Sequence, residues 1–237
     1  GRMPLPHVRP PGTGTVDPGA VIAGERYRIS VLSPGLLRLE HSPTGHFEDR
    51  PSAFAVDRRF PVPDFRVRRT AAGLELSTER IHLSYDERAF SPTGLSAQIR
   101  GGVTNYHSVW RYGVPAPTLG GTARTLDEAD GPIPLEPGIT SREGFGVIDD
   151  SASVLLTDDG WYAPRAPEEG AVDLYLFGWG HDHRQALRDL YALSGPQPVL
   201  PRWALGNWWS RYHAYDEAEY RQLAADFDRH RLPFSVL

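Results

Sequence analysis

Polar and apolar residues alternate strictly over residues 25–31, with Tyr27, Ile29 and Val31 on one face and Arg26, Arg28 and Ser30 on the other. That period of two is the signature of a half-buried strand. Shorter β-compatible runs follow at residues 36–40, 65–69, 74–77, 81–85, 95–99, 154–156 and 172–177, separated by dense turn punctuation from 24 Gly and 22 Pro. Strands at such spacing predict a mainly β protein, a sandwich or a barrel.

The period then changes. Residues 182–193 predict a helix, with Asp182 as N-cap, Gln185 at capping-box spacing, Leu187, Leu190 and Tyr191 as the packing face and Gly195 as the stop. Pro196, Pro198 and Pro201 allow neither helix nor central strand, so residues 196–202 read as a stiff connector between a domain at 1–195 and another unit at 203–237. Residues 203–209 are apolar almost throughout, interrupted by Gly206 and Asn207, which predicts a strand covered on both faces of a parallel sheet. A second helix follows: Asp216 and Glu219 have capping-box spacing, and Tyr220, Leu223, Ala224 and Phe227 recur at i, i+3, i+4 and i+7. Its acidic first turn, its basic last turn at residues 229–231 and the stop at Pro233 agree with the helix dipole. Residues 234–237 open another strand, giving a strand, helix, strand unit.

Parallel sheets place their chemistry past the carboxyl ends of their strands, which singles out Ser210, Arg211 and Tyr212. Trp208, Trp209 and Tyr212 also suit ordinary core aromatics. Residues 103–146 are long for an empty connection and form a second candidate region. There Trp110, Arg111, Tyr112, Arg124, Asp127 and Asp130 supply aromatic faces, guanidinium groups and acceptors suited to a sugar surface, the alternative being a solvated loop. Asp149 and Asp150 read as a turn rather than a catalytic pair. His181 and His183 lack a third ligand nearby and read as polar groups at a helix entrance rather than as a metal site.

Composition narrows the function classes. At 237 residues, 40% hydrophobic and 23% charged, the chain can bury one large or two modest cores and is too polar for a membrane protein. A net charge of −5 gives no basic footprint for nucleic acid or for a membrane surface. With no cysteine there is no disulfide, thiolate site or cysteine nucleophile, and residues 1–19 lack an apolar stretch of signal-peptide length, so a cytoplasmic chain is expected. No cofactor or metal motif is found, nor a glycine-rich phosphate loop, a serine-nucleophile elbow or an internal repeat.

The blocks Leu-Gly-Asn-Trp-Trp-Ser-Arg-Tyr at 205–212, Glu219-Tyr220 and Leu-Pro-Phe-Ser-Val at 232–236 resemble the opening of the catalytic barrel of glycoside hydrolase family 31. Upstream, the blocks at 119–127, 141–151 and 173–182 resemble its N-terminal domain in the same order. The resemblance implies a galactose-mutarotase-like β-sandwich followed by the opening βα unit of a (β/α)8 barrel, truncated here inside its second strand. It also implies a retaining α-glycosidase for α-glucosides or α-xylosides, using two carboxylates about 5–5.5 Å apart. In the family both are aspartates on later barrel strands, so no catalytic residue is expected among these 237 and the chain alone should be inactive. Carried over residue by residue, Tyr212 is expected to line the glycone subsite with Arg211 orienting it, and Asp127, on a loop over 119–131, to reach sugar hydroxyls, with Asp130 or Arg124 as alternatives. The implied partner is an α-linked oligosaccharide, and a homo-oligomer through the parent enzyme stays open. The competing reading is a non-catalytic β-sandwich that binds carbohydrate or a protein, with the last strand and helix as an accessory.

Overall fold

Of the alternating segment at residues 25–31, Glu25 and Arg26 are exposed and the part from Tyr27 on lies inside a sheet rather than at a surface. The computed structural model describes residues 12–101, 108–123, 125 and 127–237. In chain order its strands are β1 (Val21–Ala23), β2 (Tyr27–Ser33), β3 (Leu36–His41), β4 (Arg66–Thr70), β5 (Gly73–Ser77), β6 (Ile81–Tyr85), β7 (Leu95–Ile99), β8 (Val109–Arg111), β9 (Gly146–Asp149), β10 (Leu155–Leu156), β11 (Tyr162–Ala163) and β12 (Val172–Phe177). One antiparallel sheet runs β1-β2-β3-β12-β9, the other runs β4 to β8 in sequence, and β10 pairs with β11. The helices are α1 (His183–Ser194) and α2 (Glu217–Arg229).

The two five-stranded sheets face each other across one apolar core, so the mainly β expectation resolves into a β-sandwich. Ile29 and Val31 of β2, Leu37 and Leu39 of β3, and Leu174 and Leu176 of β12 meet Leu76, Leu83, Ala97 and Trp110 from the facing sheet. In β6 and β7 the alternation is strict, residues 81, 83, 85, 95, 97 and 99 being buried and those between them partly exposed.

β2 departs from the half-buried expectation, because all its residues except Arg28 are buried and all six of β3 are. Its second face is covered. Leu32, Leu36 and Phe177 pack there with Ala55 from the 44–60 segment and with Ala186 and Leu193 of α1. Beside them lies a charged layer set by strand register, in which Arg28, Glu40 and Asp173 are neighbours in one row and Ser30, Arg38 and Tyr175 in the next. Arg38 clasps Asp173 through Nε at 2.9 Å and Nη2 at 2.8 Å. Arg28 Nε donates to Glu40 at 2.7 Å, Arg165 Nη2 reaches Asp150 at 3.2 Å and Asp173 at 3.1 Å, and Arg58 Nε donates to the Tyr175 hydroxyl at 2.7 Å. Burial alone would raise the Asp173 carboxyl, but Arg38 and Arg165 override it and hold it below the usual range. In Glu40 burial prevails over the neighbouring arginines, and in Asp150 over hydrogen bonds from Ser153 and Ser52 and the nearby Arg165, and pushes the carboxyl up.

α1 forms as expected, with Asp182 accepting from the Gln185 N–H at 3.2 Å, but its packing face differs from the expected one. Leu190 packs on the core as expected, but Leu187 and Tyr191 are exposed, and Ala186, Asp189 and Leu193 are buried. The reason is a polar anchor. Asp189 accepts hydrogen bonds from Ser33 Oγ at 2.5 Å and Trp179 Nε1 at 2.7 Å, and a carboxylate on the inner face is invisible to a hydrophobic pattern.

The chain divides at Pro196 and Gln197 into two compact units, the second of which carries α2. In it the two-sided strand expected at 203–209 does not form. A single turn of 3-10 helix spans Arg202–Leu205, closed by Ala204 N–H to Pro201 O at 3.0 Å and Gly206 N–H to Trp203 O at 3.1 Å. Trp203 and Trp208 are 54% and 55% exposed. A buried strand needs neighbours on both edges, and here the pairing is a parallel bridge between Trp208 and Val236. The helix expectation holds in detail, because Asp216 accepts from the Glu219 N–H at 2.8 Å and Glu219 from the Asp216 N–H at 3.0 Å. Phe227 is buried against the edges of Trp209 and Phe234.

Candidate functional site

Within the second unit, the Trp209 N–H donates to Val236 O at 2.9 Å and the Ser235 N–H to Asn207 O at 2.8 Å, the beginning of a parallel ladder. Ser210, Arg211 and Tyr212 follow at its carboxyl end. A cavity of about 380 Å³ opens there, lined by Ser210, Arg211, His213 and Tyr215 of this segment and by Tyr220 and Leu223 of α2. The Tyr215 ring stands edge-on to His213 at 4.5 Å and to Tyr220 at 5.9 Å. Of this segment residues 209, 210, 211, 213 and 215 contribute, whereas Tyr212 does not and is wholly exposed. Arg211 and Tyr212 are thus adjacent in sequence but not in the same cavity. His213 and Tyr215 escaped the sequence reading, although the i, i+2, i+4 spacing from Arg211 is the signal that finds them.

Chemically, this lining offers a guanidinium, a serine hydroxyl, an imidazole and phenols beside aromatic faces. Groups of these types can hydrogen-bond hydroxyls and stack on apolar ring faces. Among the described residues no Asp or Glu side chain lines the cavity, so none of them supplies there the nucleophile or the acid that glycosyl transfer requires.

Asp127 lies in the first unit, exposed on a loop whose base is more ordered than the sequence suggests. The Leu119 N–H donates to Thr140 O at 3.0 Å, Gly121 to Glu136 O at 2.7 Å and Glu136 to Thr122 O at 3.1 Å, forming a two-stranded stem. Glycine is required in it, since a Cβ on Gly138 would come within 2.5 Å of Gly120 O. Beyond the stem, the Asp127 N–H donates to Thr125 Oγ1 at 3.0 Å. Asp130 is exposed, and Arg124 lies outside the described residues.

Trp110 and Tyr112 correct the reading of this region as an aromatic sugar surface. Trp110 is a buried residue of β8 in the sandwich core, and Tyr112 packs on Phe90 at 5.4 Å. Asp149 and Asp150 also separate: Asp149 accepts from the Ser151 N–H at 3.0 Å as a turn residue, while Asp150 is wholly buried and accepts from Ser52 Oγ at 2.7 Å. His181 Nε2 lies 2.8 Å from Arg142 O. Among the described residues no group of three His, Cys, Asp or Glu side chains could hold a metal ion.

The architecture is that of a β-sandwich joined in sequence to a unit in which α2 lies between two segments paired by an isolated parallel bridge. No family model matches the chain. It is 37% identical over 70 residues to Alpha-glucosidase 2 of Bacillus thermoamyloliquefaciens, covering 30% of this chain and 9% of that protein. It is 25% identical over 174 residues to an alpha-xylosidase of Saccharolobus solfataricus, covering 69% of this chain and 22% of that protein. In structure it is similar to a glycoside hydrolase family 31 dextranase of Flavobacterium johnsoniae, complexed with isomaltotriose, at a TM-score of 0.54 and 17% identity over 90% of this chain and 31% of that one. It is also similar to a cycloalternan-forming enzyme of Listeria monocytogenes, in complex with a pentasaccharide substrate, at a TM-score of 0.50 and 14% identity over 95% of this chain and 26% of that one. These relatives bear out the resemblance to the N-terminal region of glycoside hydrolase family 31. The chain spans less than a third of the length of each.

Proposed function

We propose that this chain is the N-terminal part of a retaining α-glycosidase acting on α-glucosides or α-xylosides, with residues 203–237 opening its catalytic (β/α)8 barrel. The observation that carries the reading is the parallel pairing of Trp208 with Val236 on either side of the fully capped α2. A strand, helix, parallel strand sequence is the repeating unit of such barrels, and their chemistry sits where Ser210 and Arg211 lie here, past a strand's carboxyl end. The alpha-glucosidase and alpha-xylosidase relatives support the substrate class.

Arg211 and Tyr212 are proposed to hold the sugar, Arg211 as a cavity-lining donor and Tyr212 as an exposed ring available for stacking, and Asp127 to accept hydrogen bonds from substrate hydroxyls. The nucleophile and acid are assigned to no described residue of this chain. A cytoplasmic location is proposed from the cysteine-free composition. The test is turnover of aryl α-glucoside and aryl α-xyloside by the parent enzyme and by the 237-residue chain. Release of the aryl group by the parent and none by the chain is expected. A parent inactive on both substrates, or an active chain, would overturn the reading.

A further inference from the structure

A second cavity, of about 360 Å³, opens in the sandwich on the charged face of the first sheet, where residues 40–48 meet residues 151–173. That volume is at the lower end of the range of about 300–1,000 Å³ typical of small-molecule sites. Glu40 and Asp173 line it with side chains only 4% and 7% exposed, and Arg165 lines it at 16%.

Three properties define the ligand that fits. The first is charge. Glu40 is paired with Arg28 and Arg38, Asp173 with Arg38 and Arg165, Arg165 also with Asp150, and Glu48 with Arg50, so the lining has no surplus arginine for an anionic ligand; the lining carboxylate without an ion pair, Glu168, is held by the hydroxyls of Ser42 and Thr44. The second is hydrogen-bonding capacity. An ionised carboxylate offers about four acceptor positions. Glu40 meets Arg28 Nε at Oε2 and Arg28 and Arg38 Nη2 at Oε1, and Asp173 meets Arg38 Nε at Oδ1 and Arg38 and Arg165 Nη2 at Oδ2, which leaves about one acceptor position on each for a ligand hydroxyl, and Ser151 Oγ, which accepts the Asp173 N–H at 2.9 Å, keeps its O–H to donate. The third is an apolar surface beside the acceptors, made by the half-buried Phe47 ring and by Val154, 42% exposed. A neutral pyranose ring matches all three, with hydroxyls around its edge and C–H groups on its faces. The ion pairs already fix the polar side chains, so little rotamer entropy remains to be lost on binding.

We infer that this cavity is a binding site for a neutral pyranoside, with hydroxyls bonded to Glu40 and Asp173 and a C–H face on Phe47. The inference stands on the cavity; only the choice of α-glucosides among the probes rests on the proposed function.

The test is backbone amide NMR of the full 237-residue chain titrated with methyl α-D-glucopyranoside, maltose, methyl β-D-galactopyranoside and inorganic phosphate. A pyranoside should move amides of residues 40–48 and 151–173 with millimolar affinity. Ala166→Trp, which fills the cavity from its exposed rim, and Phe47→Ala, which removes the stacking ring, should each weaken binding by at least about tenfold with the unfolding transition retained. Val199→Ala, at an exposed position of the connector outside either cavity, should leave it unchanged. Binding of the β-galactoside in place of the α-glucosides supports the site and counts only against the proposed function. No shifts with any sugar, shifts insensitive to both cavity variants, or a stronger response to phosphate would overturn the inference.

Discussion

Trp110 and Trp208 both stand in short, strand-like, aromatic segments, yet Trp110 is 4% exposed and Trp208 55%. The difference lies in what surrounds them. Trp110 sits in β8, hydrogen-bonded along β7 within a five-stranded sheet that faces another, whereas Trp208 has one bridge, to Val236. The sandwich unit buries the facing strands' apolar groups within itself: Ile29, Leu37, Leu39, Leu76, Ile81, Leu83 and Leu176 are wholly inaccessible, whereas Val67 of β4 stays exposed. In the second unit Leu205 is 74% exposed and Phe227 alone is buried among its large apolar residues. An apolar run therefore records that a segment is suited to being covered. What covers it is decided by the neighbours, and the two units differ in having them.

The largest expected effect breaks the closed unit at its most buried charge. Asp173→Ala removes the carboxylate clasped by Arg38, itself wholly buried, and contacted by Arg165. Stripping one partner from a buried ion pair costs about 3–5 kcal/mol, because the remaining charge stays desolvated. Denaturant unfolding followed by near-ultraviolet circular dichroism should register that loss. A change below about 1 kcal/mol would mean the layer behaves like surface ion pairs and does not hold the loops on the sheet.

The second effect sharpens the contrast in local stability. Amides in β2, β3 and β12 should exchange only through global opening, while those at 207–209 and in α2 should exchange through cheaper local openings. Asp216→Ala removes an N-cap that accepts at 2.8 Å and should lower α2 protection by about 1 kcal/mol, leaving the sandwich amides unchanged. Equal protection of both units would erase the distinction.

The strands at 36–41, 81–85 and 95–99 were legible because their alternation is long enough to register. β8 was not: three residues carry no period, and Trp110 read as a binding aromatic when it is a core one. Arg38 and Glu40 alternate with leucines in β3, a pattern that ordinarily marks a solvated face, and only the 44–60 segment and the 150–166 turns reveal that the face is covered. The capping box of α2 was fully legible, since Asp216 and Glu219 act within one turn. Of the cavity in the second unit, Arg211 was legible from its place after the apolar run, whereas His213 and Tyr215 required knowing that the chain stays extended through residue 215.

A smaller effect separates the buried carboxylates by sign. Burial raises Asp189 despite hydrogen bonds from Ser33, Trp179 and Gln185, whereas Asp173 is lowered by its arginines against the effect of burial. A raised carboxyl contributes stability that is complete below the ordinary carboxylate range, about 3.9 for Asp, and is lost as pH rises through the folded value. A lowered one contributes above that range and loses its contribution as pH falls. Asp189→Asn retains an oxygen able to accept from both Ser33 and Trp179 and carries no charge. Relative to the parent it should therefore gain stability as pH rises from 4 to 7, read as a shift in urea midpoint across a pH series. A difference independent of pH would show that Asp189 carries no net burial penalty.

The smallest effect on stability is expected where the sequence placed most of the function. Tyr212 is wholly exposed, so Tyr212→Ala should leave the melting temperature of the chain unchanged, unlike any truncation in the sandwich core. In the parent enzyme the same substitution should lower kcat/KM by at least about tenfold on an aryl α-glycoside, because a ring held at the sugar contributes to transition-state binding without contributing to the fold. The lining of the cavity supplies the control. Arg211, His213 and Tyr215 line the cavity and Tyr212 does not. If His213→Ala abolishes turnover while Tyr212→Ala retains it, the sugar lies on the cavity side and the assignment of Tyr212 fails. If Tyr212→Ala alone loses turnover, the stacking ring lies on the exposed side and the cavity serves packing.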